Sequence, residues 1–132
     1  MKFLLDTNIC IYIIKRKPPK VLDKFNSLEV SDIGISSITV AVEYGAYKSQ
    51  ARKQNYTALQ QFLALLEIIN FDATAAQIYA QIRGDLERQG QVIGSLDMLI
   101  AAQAIACEIT LVTNNVKEFS RIPDLDLENW AE

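Results

Sequence analysis

Short apolar runs alternate along the chain with longer stretches in which apolar residues recur every three or four positions. The runs are typical of buried strands and the longer stretches of helices. Strands are predicted at residues 3–5, 33–36, 67–71 and 110–113, with a possible edge strand within 125–130. Helices are predicted at residues 9–15, 21–28, 38–53, 56–66, 75–89 and 96–107. This alternation predicts an α/β fold whose central parallel sheet has four to five strands and is covered by helices on both faces.

Capping residues mark where two of the helices begin and end. Ser36 or Ser37 is positioned to cap the third helix, and Asp72 or Thr74 the fifth, which Gly90 ends. The chain has 132 residues, half of them apolar, so it can bury a core without disulfides or metal ions. We therefore expect a single domain over residues 1–132.

The composition limits where in the cell the protein is expected and which classes of catalytic site it can contain. No leader pattern is present, and no apolar run approaches the ~18 residues needed to cross a bilayer, so we expect a cytoplasmic protein without membrane contact. Cys10 and Cys107 lie in apolar helical patterns and are expected to be buried free thiols. The chain contains no histidine, which excludes Ser-His and Cys-His nucleophiles and histidine-ligated zinc. The net charge of -3 is compatible with a local basic patch beside an acidic site.

Acidic and amide side chains stand where several predicted elements begin or end. Asp6 follows the first strand directly, and Asn114 follows the fourth. In open parallel sheets, chemistry occurs beyond the carboxyl ends of the strands. Asp97 and Glu43 are single acids in otherwise apolar helices, where a buried carboxylate without a partner costs free energy. These four side chains can therefore meet at one rim of the sheet.

Each acid also has a purely structural explanation. Asp6 or Thr7 can cap the first helix, and Asp97 can be an ordinary surface acid in a first helical turn. Three acids at the ends of three elements nevertheless favour a shared cation, because clustered carboxylates repel one another unless a cation neutralises them. Oxygen ligands suit Mg²⁺ or Mn²⁺.

Four segments carry a family resemblance: FLLDTN at 3–8, ISSIT at 35–39, GSLDMLIAA at 94–102 and LVTNNVKEF at 111–119. In this order and spacing they resemble the PIN-domain ribonucleases, and most closely the VapC toxins of bacterial type II toxin-antitoxin systems. The likeness runs from Lys2 to Trp130. It implies a PIN-like αβα sandwich, dependence on Mg²⁺ or Mn²⁺, and endonucleolytic cleavage of RNA, commonly tRNA, by water, with 3′-hydroxyl and 5′-phosphate products.

The resemblance also assigns residues. Asp6 and Asp97 match acids that ligate the metal and support catalysis, and Glu43 is the third candidate. Glu43 stands four residues after Thr39, where the family spacing is three, and one helical residue corresponds to 100° of rotation. The supporting polar positions are Asn8, Thr113 and Asn114, with Glu118 as a substitute for the Asp that many relatives carry near Asn114 or Asn115.

Partners follow from the same resemblance. It implies a homodimer silenced by a cognate VapB-like antitoxin whose C-terminal segment crosses the acidic groove. Apolar residues that could serve such contacts, or belong to the core, are Tyr44, Tyr47, Tyr56 and Phe62. Basic residues that could bind RNA phosphates, or form a solvated helix face, are Lys15, Arg16, Lys17 and Lys20, with Lys48, Arg52 and Lys53 as a second group.

Two other functions are compatible with the residues. A catalytically impaired PIN-like module would bind RNA or a partner protein without cutting, as the offset of Glu43 and the missing fourth Asp allow. A phosphotransfer or receiver-like domain would use Asp6 as a nucleophile. Such domains typically carry the motif Asp-x-Asp after the first strand. This chain has Asn8 in place of the second Asp, which makes that function less favoured.

Overall fold

A computed structural model of the chain describes residues 1–50 and 53–132, with the side chains of residues 46–50 and 53–55 outside the description. The strands are β1 (Phe3–Leu5), β2 (Ile33–Ser36), β3 (Glu67–Ile69), β4 (Thr110–Val112) and β5 (Leu127–Glu128). The helices are α1 (Thr7–Lys15), α2 (Pro19–Asn26), α3 (Ser37–Gln50), α4 (Lys53–Leu65), α5 (Ala73–Arg88), α6 (Ser95–Cys107) and α7 (Val116–Phe119), with a 3₁₀ turn at Val30–Asp32.

All five strands form one parallel sheet in the order β3-β2-β1-β4-β5. At the centre of the sheet, Leu4 pairs with Gly34 on one side and with Leu111 on the other. The chain places β2 and β3 on one side of β1 and then β4 and β5 on the other side. The order therefore reverses between β1 and β4, and the carboxyl ends of these two strands border the crevice in which such sheets bind ligands.

Helices cover both faces of the sheet, which confirms the predicted αβα sandwich. Because successive strand residues point to opposite faces, Leu4 packs with α5 and α6, whereas Leu5 packs with α1, α2 and α4. Ile9, Phe25 and Leu59 contribute to the second of these cores. Within the described residues, no helix is both long enough and apolar enough to cross a membrane.

Most predicted boundaries agree with the structure to within one or two residues. β1 and β2 have the predicted bounds, β3 ends two residues early, and Asp72 caps α5 by accepting a hydrogen bond from the Ala75 amide. The one-turn helix α7 was not predicted. Cys10 is buried as expected, but the prediction for Cys107 was wrong. Cys107 is exposed because it is the last residue of α6, next to the left-handed cap residue Glu108.

Candidate active site

Asp6 lies at the carboxyl end of β1 and is the N-cap of α1. Its Oδ1 accepts a hydrogen bond from the Thr7 amide, and its Oδ2 accepts one from Thr113 Oγ1, each of 2.8 Å. The residue is only 4% exposed. Burial raises the pKa of Asp6, and the hydrogen bonds from Thr113 and Thr7 offset part of that rise. The capping role and the position at the switch point thus coincide in one carboxylate.

Asp97 lies in the first turn of α6, where the helix macrodipole favours an acid. Burial and the nearby charges of Asp6 and Glu118 raise the pKa of Asp97 to about 6. Gly94, the N-cap of α6, leaves room for the carboxylate, since a Cβ at this position would lie 3.3 Å from Asp97 Oδ2. The structure therefore brings Asp97, Asp6 and Glu118 within one electrostatic field.

Glu43 lies on the buried face of α3 and is 2% exposed. Thr7 Oγ1 donates to Thr39 Oγ1 at 3.4 Å, so Thr39 is level with the start of α1. Glu43 follows Thr39 by one helical turn, or about 6 Å along the axis. Burial raises the pKa of Glu43 to about 7, against the lowering effect of Lys15 at the far end of α1. Glu43 thus lies deeper along α1 than Asp6 does.

Three further observations bear on Glu43. Its Oε1 is buried, and no described residue forms a hydrogen bond with it. Burial, and then the charges of Glu43 and Asp6, raise the pKa of the Cys10 thiol, which shows that Cys10 lies in the field of both acids. Val42, which stands at the family spacing of three residues after Thr39, is 37% exposed. Of these two neighbouring residues on α3, Glu43 is therefore the one that faces α1.

The supporting polar positions divide into two groups. Thr113 is buried and contacts Asp6 directly, and Glu118 acts on Asp97 through its charge. Asn114 Nδ2 donates to the Tyr12 hydroxyl at 2.7 Å, while its Oδ1 is buried and accepts no hydrogen bond from the residues that the structure describes. Asn8 is exposed on the first turn of α1. The contact of Tyr12 with Asn114 was not predicted, because a tyrosine in an apolar helix pattern looks like a core residue.

The basic segment that runs from the end of α1 into α2 is exposed to solvent. All four candidate cations of this segment are exposed: Lys15, Arg16, Lys17 and Lys20. Lys48, Arg52 and Lys53 lie outside the described side chains, as does Tyr47. Among the apolar candidates for partner contacts, Phe62 is buried in the core and so is not available, Tyr44 is half-buried, and Tyr56 is 39% exposed.

The donor set fits a hard divalent cation chemically. Asp6, Asp97 and Glu118 supply oxygen ligands, and a cation would relieve the repulsion that raises the pKa of Asp97. No Lys or Arg whose side chain the structure describes forms an ion pair with Asp6, Asp97 or Glu43. In the same part of the chain, no three acidic or thiol side chains converge closely enough to hold a metal ion. Mg²⁺ usually keeps several waters and is held by only one or two carboxylates, so Asp6 and Asp97 are sufficient protein ligands.

Comparisons with known proteins agree with this geometry. The family model described as "PIN domain" matches residues 3–125. The chain is 48% identical to "Ribonuclease VapC2" of Rickettsia felis, with 98% of each chain covered. It is 43% identical to "tRNA(fMet)-specific endonuclease VapC" of Salmonella typhimurium, with 99% of each chain covered.

Solved structures show the same relationship. The crystal structure of DNA-bound VapBC from Salmonella typhimurium superimposes with a TM-score of 0.90 at 43% identity, covering 98% of each chain. That of VapBC2 from Rickettsia felis, bound to a DNA fragment from their promoter, gives a TM-score of 0.89 at 46% identity, covering 98% of this chain and 99% of that one. The chain therefore belongs to the PIN-domain family, within its VapC group.

Proposed function

We propose that the chain is an endoribonuclease toxin that depends on Mg²⁺ or Mn²⁺ and cuts tRNA. The proposal rests above all on the position of Asp6 at the β1–β4 switch point, from which its charge reaches Asp97 and raises the pKa of that residue. The names of the VapC relatives supply the substrate class, since two of them are called tRNA(fMet)-specific endonucleases. We propose that the catalytic domain spans residues 1–132.

The residues of the candidate site would have different roles in the proposed reaction. Asp6 and Asp97 would hold the cation, with Glu118 and Glu43 as further oxygen donors. When bound, the cation would polarise the scissile phosphodiester and lower the pKa of a water molecule. The Thr7 amide and the Thr113 hydroxyl fix both oxygens of Asp6, so this carboxylate is oriented before substrate arrives. Water attack at phosphorus would break the bond to the 3′ oxygen, leaving 3′-hydroxyl and 5′-phosphate ends.

Substrate binding would use the exposed cations between the end of α1 and the start of α2. Lys15, Arg16 and Lys17 follow one another directly, and Lys20 lies near the start of α2. Exposed Lys and Arg side chains bind phosphates without reading sequence, so they would position the RNA and not select it. Selection of one tRNA must therefore come from other contacts.

We also propose that a VapB-like antitoxin binds this chain and that the chain forms a homodimer. The support for the antitoxin is that the solved relatives are VapBC complexes. Tyr56 and Val42 are apolar and exposed on α4 and α3, which makes these helices candidates for a protein contact. Size measurement of the free chain and of the complex would test both assemblies.

The experiment is cleavage of total tRNA, and of tRNA(fMet), by chain freed of any co-purified partner, in Mg²⁺ and in EDTA. We expect fragments with Mg²⁺ and none with EDTA. The cleavage rate should fall about 100-fold or more in Asp6→Asn and in Asp97→Asn. Asp124→Asn is the matched control, because Asp124 is exposed and precedes β5 at the opposite end of the sheet. Full activity of Asp6→Asn, or cleavage in EDTA, would contradict the proposal.

Glu43→Gln decides the role of the third acid in the same assay. A strong loss of cleavage supports a contribution of Glu43 to the cation site, and unchanged cleavage removes Glu43 from it.

The alternative function, an impaired PIN-like module that binds RNA without cutting, is favoured by the lack of three converging acids in the described residues. It predicts tRNA binding by the intact chain with no fragments in either Mg²⁺ or Mn²⁺.

A further inference from the structure

Gln103 lies at the centre of a buried polar cluster that joins α6 to the carboxyl ends of β2 and β3. Ser36 Oγ donates to Gln103 Oε1, and Gln103 Nε2 donates to the carbonyl oxygen of Ile69 at 3.1 Å. Ser36 Oγ also accepts a 3.0 Å bond from the Ile38 amide, at the start of α3. Gln103 is 1% exposed and Ser36 is fully buried. Both ends of the Gln103 amide are therefore bonded inside the protein.

The composition of α6 explains why such a cluster matters. The border between the polar and apolar faces of an amphipathic helix fixes its rotation. α6 has no such border, because its buried residues lie on most sides of the helix. They include Met98, Ile100, Ala101, Ala102 and Ala104. The alanines among them project little and constrain rotation weakly. The directional hydrogen bonds of Gln103 supply the missing constraint.

Rotation of α6 bears directly on the acidic site. Asp97 is in the first turn of the same helix, and a slip by one residue would turn it by 100°. Such a turn would carry the carboxylate away from Asp6. Through Ser36, the same cluster also holds the start of α3, the helix that bears Thr39 and Glu43.

We propose that Gln103 is a positioning residue for the acidic site: its two hydrogen bonds fix the rotation of α6 and hold Asp97 beside Asp6. The inference rests on the proposed cation-dependent function and adds a residue that lies outside the acidic cluster itself. Partners that orient metal ligands typically contribute 10–100-fold to metal affinity. Loss of the Gln103 bonds is therefore expected to weaken cation binding by about tenfold or more.

The test compares Mn²⁺ binding by isothermal titration in the full chain and in Gln103→Leu, at a temperature where circular dichroism shows both folded. Ile100→Val is the matched control, because it removes one buried methyl group from α6 and leaves the polar cluster intact. We expect the Kd for Mn²⁺ to rise about tenfold in Gln103→Leu and to stay within twofold in Ile100→Val. Equal Kd values in the two variants would overturn the proposal. If Gln103→Leu does not fold, Ser36→Ala removes the other partner of the same bond and gives the same comparison.

A second readout separates this inference from the proposed function. Should the unmodified chain bind no Mn²⁺, the cation dependence fails, and Gln103 is judged by hydrogen exchange of the Met98 amide, which bonds to the Gly94 carbonyl at 3.0 Å. The positioning role predicts exchange at least fivefold faster in Gln103→Leu than in Ile100→Val. Similar exchange rates in these two variants would overturn it.

Discussion

Thr113 Oγ1 donates a 2.8 Å hydrogen bond to Oδ2 of Asp6, and the two residues are 107 positions apart in the sequence. The bond connects the carboxyl ends of β4 and β1, the two strands between which the strand order reverses. Thr113 Oγ1 also accepts a 3.0 Å bond from the Asn115 amide, which fixes the direction of its own proton toward Asp6. The parallel sheet thus orients Asp6, the first acid of the candidate site, through a hydroxyl and an amide donor.

Removal of this hydroxyl should weaken both the fold and the site. In Thr113→Val the shape is kept while the buried Asp6 carboxylate loses a donor, so we expect a loss of about 1–3 kcal/mol in the free energy of unfolding at pH 7. The pKa of Asp6 should rise further, because the Thr113 bond lowers it. Urea unfolding measures the stability. Thr110→Val makes the same change at the other end of β4, and an equal loss there would contradict the assignment.

Glu43 predicts a pH dependence of stability. Its pKa of about 7 in the folded chain exceeds the ordinary value of 4.5, so the folded state binds the proton more tightly than the unfolded state does. This contribution is complete below about pH 4.5 and is lost as the pH rises to about 7, amounting to about 3 kcal/mol at most. Asp97, with a pKa of about 6, acts in the same direction at lower pH.

The measurement is urea unfolding of the chain and of Glu43→Gln in EDTA, between pH 5 and pH 8. We expect stability to decline with rising pH in the unmodified chain and to decline less in Glu43→Gln, with the largest difference in slope near pH 6. An identical decline in both proteins would mean that another group carries the pH dependence.

Gly94 should support cation binding because it leaves space beside the Asp97 carboxylate. Its φ of -56° and ψ of 142° suit any residue, so backbone strain is not the reason for a glycine here. In Gly94→Ala the added methyl group would lie 3.3 Å from Asp97 Oδ2 and crowd the carboxylate. We expect about tenfold weaker Mn²⁺ binding, comparable to the loss of an orienting partner, with a stability change within about 1 kcal/mol.

Gly84→Ala is the control for that measurement. Its methyl group would meet only the end of the Arg88 side chain, at 3.4 Å, in the middle of α5. Alanine favours the helix by up to about 1 kcal/mol over glycine, so this variant should be slightly more stable and bind Mn²⁺ normally. If the two alanine variants bind Mn²⁺ alike, the space beside Asp97 is not what Gly94 provides.

The basic segment predicts a salt effect on substrate binding. Replacing Arg16, Lys17 and Lys20 together with Gln should raise KM for tRNA and leave kcat unchanged, because these cations would contact phosphates away from the cut bond. Each lost phosphate contact should reduce the slope of log KM against log salt by about 0.7. Replacing Arg83 and Arg88, which pair with acids on α5, is the control. Equal salt slopes in the two variants would place RNA elsewhere.

The fold was predictable because its signals are local and agree with one another. β1 and β2 are short apolar runs bounded by polar residues, and both have the predicted bounds. The errors occur where a local pattern is ambiguous. The four residues of α7 are too few for a helical period to be visible, and the apolar pattern of α6 does not reveal that Cys107 is exposed at its end.

The candidate site was predictable only as a set of residue types. Asp6 and Asp97 were proposed as metal ligands from their positions near the ends of predicted elements, and the structure brings them into one electrostatic field. The bonds that orient them depend on contacts between distant parts of the chain. Gln103 illustrates the limit, since a single amide in an apolar helix carries no local signal of its partners on β2 and β3.

If Asp6 and Asp97 share a divalent cation, anomalous diffraction from crystals grown with Mn²⁺ will locate it. We expect one strong peak at the carboxyl ends of β1 and β4, about 2 Å from an oxygen of Asp6 and from an oxygen of Asp97. Crystals of Asp6→Asn grown in the same way should lack the peak. A peak elsewhere on the chain, or one that is unchanged in Asp6→Asn, would show that these two acids do not share a cation.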